Sequence, residues 1–170
     1  MKAAAPSYLG LVLAVHPTSH GFGWVLFEGP LSPVDWGMAS AKPGRNARLM
    51  KRFERLLNRY EPAVFVLESF EGRDATRVDR IRRLCRSMQN LVACRDISIR
   101  IYSRAAVRTC FATIGATSRY EIALAIAQRI DAFNHRLPPK RRKWMNQDPR
   151  QSLFDAAALA ITYFAFSGAP

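Results

Sequence analysis

The sequence predicts an α/β fold, a mixed five-stranded sheet flanked by helices, and three observations carry that prediction. Apolar runs of strand length alternate with segments of helical period, in the order β-β-β-α-β-α-β-α-α. One run, Ala63-Val64-Phe65-Val66-Leu67-Glu68, is apolar without interruption until its end, as expected of a central parallel strand covered on both faces. The chain has 170 residues and 49% hydrophobic content, enough for one domain over 1–170 with its own buried core. Neither an internal repeat nor an interdomain linker divides it.

The first strand is expected over 8–16, and residues 22–28 return beside it. Gly21 and Gly23 ease the turn and permit close backbone approach. Residues 34–40 follow Pro30 and Pro33 and suit an edge strand. Leu49, Phe53, Leu56 and Leu57 mark a helix over 46–60, with arginines on its other face. After the central strand, Val78, Ile81, Leu84, Cys85, Met88 and Val92 recur at helical spacing over 76–93. Arg77, Arg80, Arg82, Arg83 and Arg86 fall on the solvent side of that helix. Ile97-Ser98-Ile99-Arg100-Ile101-Tyr102 alternates as a strand does. Helices are predicted over 103–112 and 118–133, the second opened by Ser118 with Glu121 three residues on. A polar, basic stretch over 134–150 leads into a last helix over 151–166.

Composition restricts the partners. A net charge of +13 and a pI near 10.6 imply a polyanion, and the excess is mostly arginine, whose fork suits phosphate. No apolar run is long enough to span a bilayer, and no segment pairs lysines with a large apolar face, so no membrane partner is expected. The start, Met1-Lys2-Ala3-Ala4-Ala5-Pro6, superficially resembles a signal peptide. However, His16, Pro17 and His20 interrupt the apolar stretch and no small-residue cleavage site follows, so a cytoplasmic protein is expected, nucleoid-associated if prokaryotic or phage. Cys85, Cys94 and Cys110 are odd in number, lack C-x-x-C spacing and lie in apolar segments, which suits buried free thiols rather than zinc ligands.

Three polar residues interrupt apolar structure. His16 ends the first strand, Glu68 ends the central strand, and Asp155 sits early in an alanine-rich helix able to lie close on the sheet. Each has a plain structural explanation: a turn residue, a strand end at the solvent boundary, or a helix-dipole partner. Their joint order suggests more, because two carboxylates brought together at strand ends repel unless a cation lies between them.

In this order the chain resembles the RuvC-like Holliday-junction resolvases of the RNase H-like superfamily. That family opens on a strand ending Asp-Pro-Gly-Ser-Arg and a Gly-aromatic-Gly return, which here reads His16-Pro17-Thr18-Ser19-His20-Gly21-Phe22-Gly23-Trp24. Leu67-Glu68 matches the end of its central strand. The segments Tyr102-Ser103-Arg104-Ala105-Ala106-Val107-Arg108, Ile114-Gly115 and Arg119 look like its later strand, helix and basic turn. Its closing Asp-Ala-x-Ala-x-Ala matches Asp155 to Ala160. The resemblance implies a homodimer cutting branched or four-way DNA by two-metal phosphodiester hydrolysis, with His16, Glu68 and Asp155 as catalytic and metal-binding residues. The apolar stripe of 76–93 offers a dimer interface or packs on the sheet.

Two departures qualify that implication. His16 stands where the family has its first aspartate, and Ser152 where another acidic residue is frequent; Asp148 helps only if its loop folds inward. An imidazole brings no negative charge and binds one metal through one nitrogen, so Mn²⁺ is favoured over Mg²⁺. Weak, Mn²⁺-favoured cleavage or binding without cutting is therefore expected. The expected DNA contacts are Arg73, Arg77, Arg80, Arg104, Arg108, Arg119, Lys140, Arg141, Arg142, Lys143 and Trp144, together with Phe70, which resembles the family's aromatic at the junction centre or else packs in the core. The alternatives are a junction-binding protein with a degenerate site and a basic nucleoprotein component. An actin-like or sugar-kinase-like phosphotransferase would need about twice this length.

Overall fold

A computed structural model describes residues 10–42, 44–70 and 76–167, apart from the side chains of 76–78. Strands β1 (Val12–Thr18), β2 (Gly21–Gly29) and β3 (Ser32–Ser40) come first, followed by helix α1 (Asn46–Tyr60), strand β4 (Val64–Glu68), helix α2 (Thr76–Ala93) and strand β5 (Ser98–Tyr102). Helices α3 (Arg104–Ala112), α4 (Arg119–Arg129), α5 (Asp131–Asn134) and α6 (Gln151–Ser167) complete the order. The sheet runs β3-β2-β1-β4-β5. The β1–β2 and β2–β3 pairs are antiparallel, while β4 is parallel to both β1 and β5. The predicted mixed five-stranded sheet is therefore present, with β3 at an edge.

Strand alternation divides the core between the two faces. Val12, Ala14, Val25, Phe27 and Val66 face α4 and α6, whereas Leu13, Val15, Leu26, Phe65 and Leu67 face α1 and α2. The same parity places His16 and Glu68 on the α6 face, and the pairing of Val15 with Leu67 brings them level on adjacent strands. Helix α6 approaches closely because Ala156, Ala157, Ala158 and Ala160 are buried against the sheet. Gly23 completes the fit, since a Cβ there would lie 2.4 Å from the backbone carbonyl of Ser152.

Two element boundaries differ from expectation. Strand β1 continues beyond His16 because pairing with β2 extends through Thr18, so His16 lies inside the strand. At Pro17 the strand is paired on one side only, which accommodates a residue without an N–H. The helix predicted over 118–133 breaks where Ile130 turns extended, at φ −123° and ψ 100°. Ser118 and Glu121 do form the reciprocal cap predicted for α4. Among the described residues no helix is long and apolar enough to cross a membrane.

Candidate functional site

The carboxyl ends of β1 and β4, α3 and the first turns of α4 and α6 enclose a cleft. Its lining includes His16, Glu68, Arg104, Arg108, Arg119 and Asp155, so the three polar residues that interrupt apolar structure in the sequence do converge. The histidine lies between the two carboxylates. Its Nδ1 is 2.9 Å from Oε2 of Glu68, an ion-pair distance at an angle unsuited to a hydrogen bond, and its Nε2 is 3.4 Å from Oδ2 of Asp155. The His16 and Glu68 side chains are 7% and 5% exposed.

Asp155 is held further by the guanidinium of Arg119. Nε donates to both carboxylate oxygens at 2.9 and 3.1 Å, and Nη2 donates to Oδ2. Gln151, one helical turn earlier, donates to Oδ1 at 3.2 Å. Burial pushes the Asp155 carboxyl pKa up, but the charge of His16 and the Arg119 fork outweigh it, and the net direction is down. Across the cleft, Arg104 Nε stands 3.6 Å from Oε1 of Glu68. Arg104 and Arg108 lie one turn apart on α3, whose start is fixed by Ser103 accepting from the Ala106 N–H.

The residues considered as extra metal ligands are turned to other work. The Ser152 hydroxyl donates to the Pro149 carbonyl at 2.7 Å, and Asp148 takes both arms of Arg150 at 3.0 and 2.7 Å. Among the described residues no group of three His, Cys, Asp or Glu side chains is arranged to hold a metal ion. The donor set does not fit the metal centre that the sequence resemblance implies. Each carboxylate instead faces cationic nitrogen from the chain itself.

Several other residues singled out in the sequence have surroundings of their own within the fold. Phe70 is buried in the core with its ring 6.1 Å from that of His16, the packing role weighed for it from the sequence. Arg80 bridges the β1–β2 turn and α1 through the Ser19 carbonyl at 3.2 Å and Asn46 Oδ1 at 3.3 Å. Arg119 is directed at Asp155. Within the α2 stripe Leu84, Cys85, Met88 and Val92 pack beneath the sheet, the second of the two uses expected of it, while Ile81 is half-buried. Of the cysteines only Cys85 is buried, Cys94 being exposed because it falls beyond the end of α2. Arg73 and the side chain of Arg77 lie outside the described residues.

Lys140, Arg141, Arg142, Lys143 and Trp144 are all exposed, as a solvent-facing basic loop requires. Trp144 is 77% exposed with the Arg142 guanidinium over its ring. The Lys140 ammonium, 5.9 Å from the Tyr120 ring, places the start of this loop beside the end of α4 that carries Arg119. Sequence reasoning missed Gln151 and the partnership of Arg119 with Asp155. The i,i+4 spacing of Gln151 from Asp155 was the available signal for the first.

Comparison with solved structures bears on this arrangement. Thermus thermophilus RuvC in complex with a Holliday junction substrate superposes with a TM-score of 0.70 at 19% identity, over 94% of this chain and 97% of that one. The chain has the RuvC fold. A second Thermus thermophilus RuvC structure gives a TM-score of 0.64 at 16% identity, covering 92% of this chain and 94% of that one. The yeast mitochondrial Holliday junction resolvase Ydc2 gives 0.63 at 14% identity, covering 92% and 80%. No protein-family model and no curated protein matches the sequence. The RuvC likeness agrees with the mixed five-stranded sheet flanked by helices, the RNase H-like architecture expected from the sequence.

Proposed function

We propose that this chain is a structure-selective DNA-binding protein that takes branched DNA, such as a four-way junction, into the cleft of its RuvC fold without hydrolysing it. In this reading the 170 residues act as one domain, and two copies engage the two equivalent halves of a junction. The carrying observation is the charge arrangement of the cleft. His16, Arg104, Arg108 and Arg119 line it, while both carboxylates there already face the chain's own cations. Arg108 forms no ion pair among the described residues and is exposed at the rim. The exposed basic loop beside α4 extends the positive surface, and a net charge of +13 supports a polyanionic partner. A protein of this fold is known with a Holliday junction substrate.

The test is a labelled four-way junction set against linear duplex of the same arms. Preferential retardation of the junction in EDTA is expected, with no nicked product in Mg²⁺ or Mn²⁺. Removing two phosphate contacts with Arg104→Ala and Arg108→Ala should lower the slope of log K against log salt by about 2. Equal affinity for junction and duplex removes the structural selectivity. Metal-dependent nicking that Asp155→Asn abolishes establishes a nuclease instead.

A further inference from the structure

We propose that the side-chain nitrogens of His16 and Arg119 occupy the place between Glu68 and Asp155 that an oxygen-rich site gives to divalent metal. The inference rests on reading the cleft as a binding site. A buried strand carboxylate, Glu68, and a half-buried helix carboxylate, Asp155, brought together in one cleft repel unless positive charge separates them. Here the imidazole stands between them, 2.9 Å from one and 3.4 Å from the other. The ring thus sets a nitrogen beside an oxygen of each carboxylate, in the space an ion would have to enter. The bidentate Arg119 fork occupies both oxygens of Asp155, the same lone pairs a metal would need.

The geometry around these groups is fixed. The histidine projects from the interior of β1, whose backbone pairs there with Gly23 of β2, and its ring lies 6.1 Å from that of Phe70. Arg119 is the first residue of α4, set by the Ser118–Glu121 cap. The two residues that would add oxygen are engaged by Pro149 and Arg150. A carboxylate in place of His16 would reverse the local balance, leaving three acidic groups around one position.

Mn²⁺ titration read by electron paramagnetic resonance and by thermal melting tests this without DNA or any nuclease assay. Wild-type protein should show no saturable Mn²⁺ site and the same Tm in Mn²⁺ and EDTA. His16→Asp should acquire a site, and at about 100 times its Kd the metal should raise Tm by roughly 5–10 °C. A saturable wild-type site that Asp155→Asn abolishes overturns the proposal, as does a folded His16→Asp protein that gains no Mn²⁺ affinity. Should His16→Asp fail to fold, the wild-type titration decides alone. Loss of junction preference in the binding assay would refute the proposed function and leave this result standing.

Discussion

Asp155 sits at the meeting point of the cleft's charges, and its ionisation links that cleft to folding. Its carboxyl pKa is lowered on folding: burial opposes the shift, but His16, Arg119 and Gln151 together overcome it. An unfolded aspartate titrates near about 3.9. Because the folded value lies below that, the stabilisation is complete above about pH 4 and is lost as pH falls through the folded value. Tm measured between about pH 2 and 6 should therefore fall less steeply for Asp155→Asn than for wild type. At neutral pH the variant should be less stable by about 1–3 kcal/mol. This is below the range for a fully buried pair, because Arg119 is 35% exposed and can hydrate. The comparison must be with wild type, since Glu121, whose pKa is about 2 through its cap hydrogen bonds, also titrates in this range. Parallel acid limbs would show that the Arg119–Asp155 contact contributes nothing to folding.

Between elements, the decisive contact is α6 against the β1–β2 hairpin. Gly23 pairs with His16 across that hairpin and leaves room for the first turn of α6. In Gly23→Ala the new methyl would meet Ser152 backbone at 2.4 Å and the Leu153 nitrogen at 2.7 Å, so the helix must move. We expect a loss of about 2–4 kcal/mol, measured by denaturant unfolding, because backbone yields less readily than a side-chain tip. Gly29→Ala, whose Cβ would stand an ordinary 3.6 Å from Ser32, should change stability by under about 0.5 kcal/mol. Equal costs at the two glycines would refute this account of the helix seat. The elements themselves were largely legible. Alternation and helical spacing placed the strands and long helices, and Ser118 with Glu121 announced the start of α4. The extended Ile130 was not legible, since neither proline nor glycine marks the break. Nor was the continuation of β1 past His16, which depends on its partner strand.

At the scale of the whole molecule, what escaped the sequence is pairing across long separations. Arg80 reaches a carbonyl 61 residues away and Arg119 a carboxylate 36 residues away, so residue type suggested phosphate contacts where the fold supplies internal partners. Convergence of His16, Glu68 and Asp155 was legible because strand parity and an alanine face constrain it. The charge compensation among them was not. Cysteine chemistry can report on this assembled state. Cys85 lies in the core between α2 and the sheet, its thiol pushed up to about 12 first by burial and then by the charge of Glu68. Cys94 is exposed near the far end of α2, at the opposite end of the sheet from the cleft. A disulfide reagent should therefore modify Cys94 at once and reach Cys85 only through global opening. A DNA ligand that binds the folded state suppresses that opening by its occupancy, so a four-way junction at about 100 times its Kd should slow Cys85 modification by about 100-fold. Cys94 should react as before. Linear duplex at the same concentration should protect Cys85 less, in proportion to its weaker binding. Fast labelling of Cys85 without DNA would contradict the packing of α2 on the sheet. Equal protection by junction and duplex would contradict the selectivity proposed for the cleft.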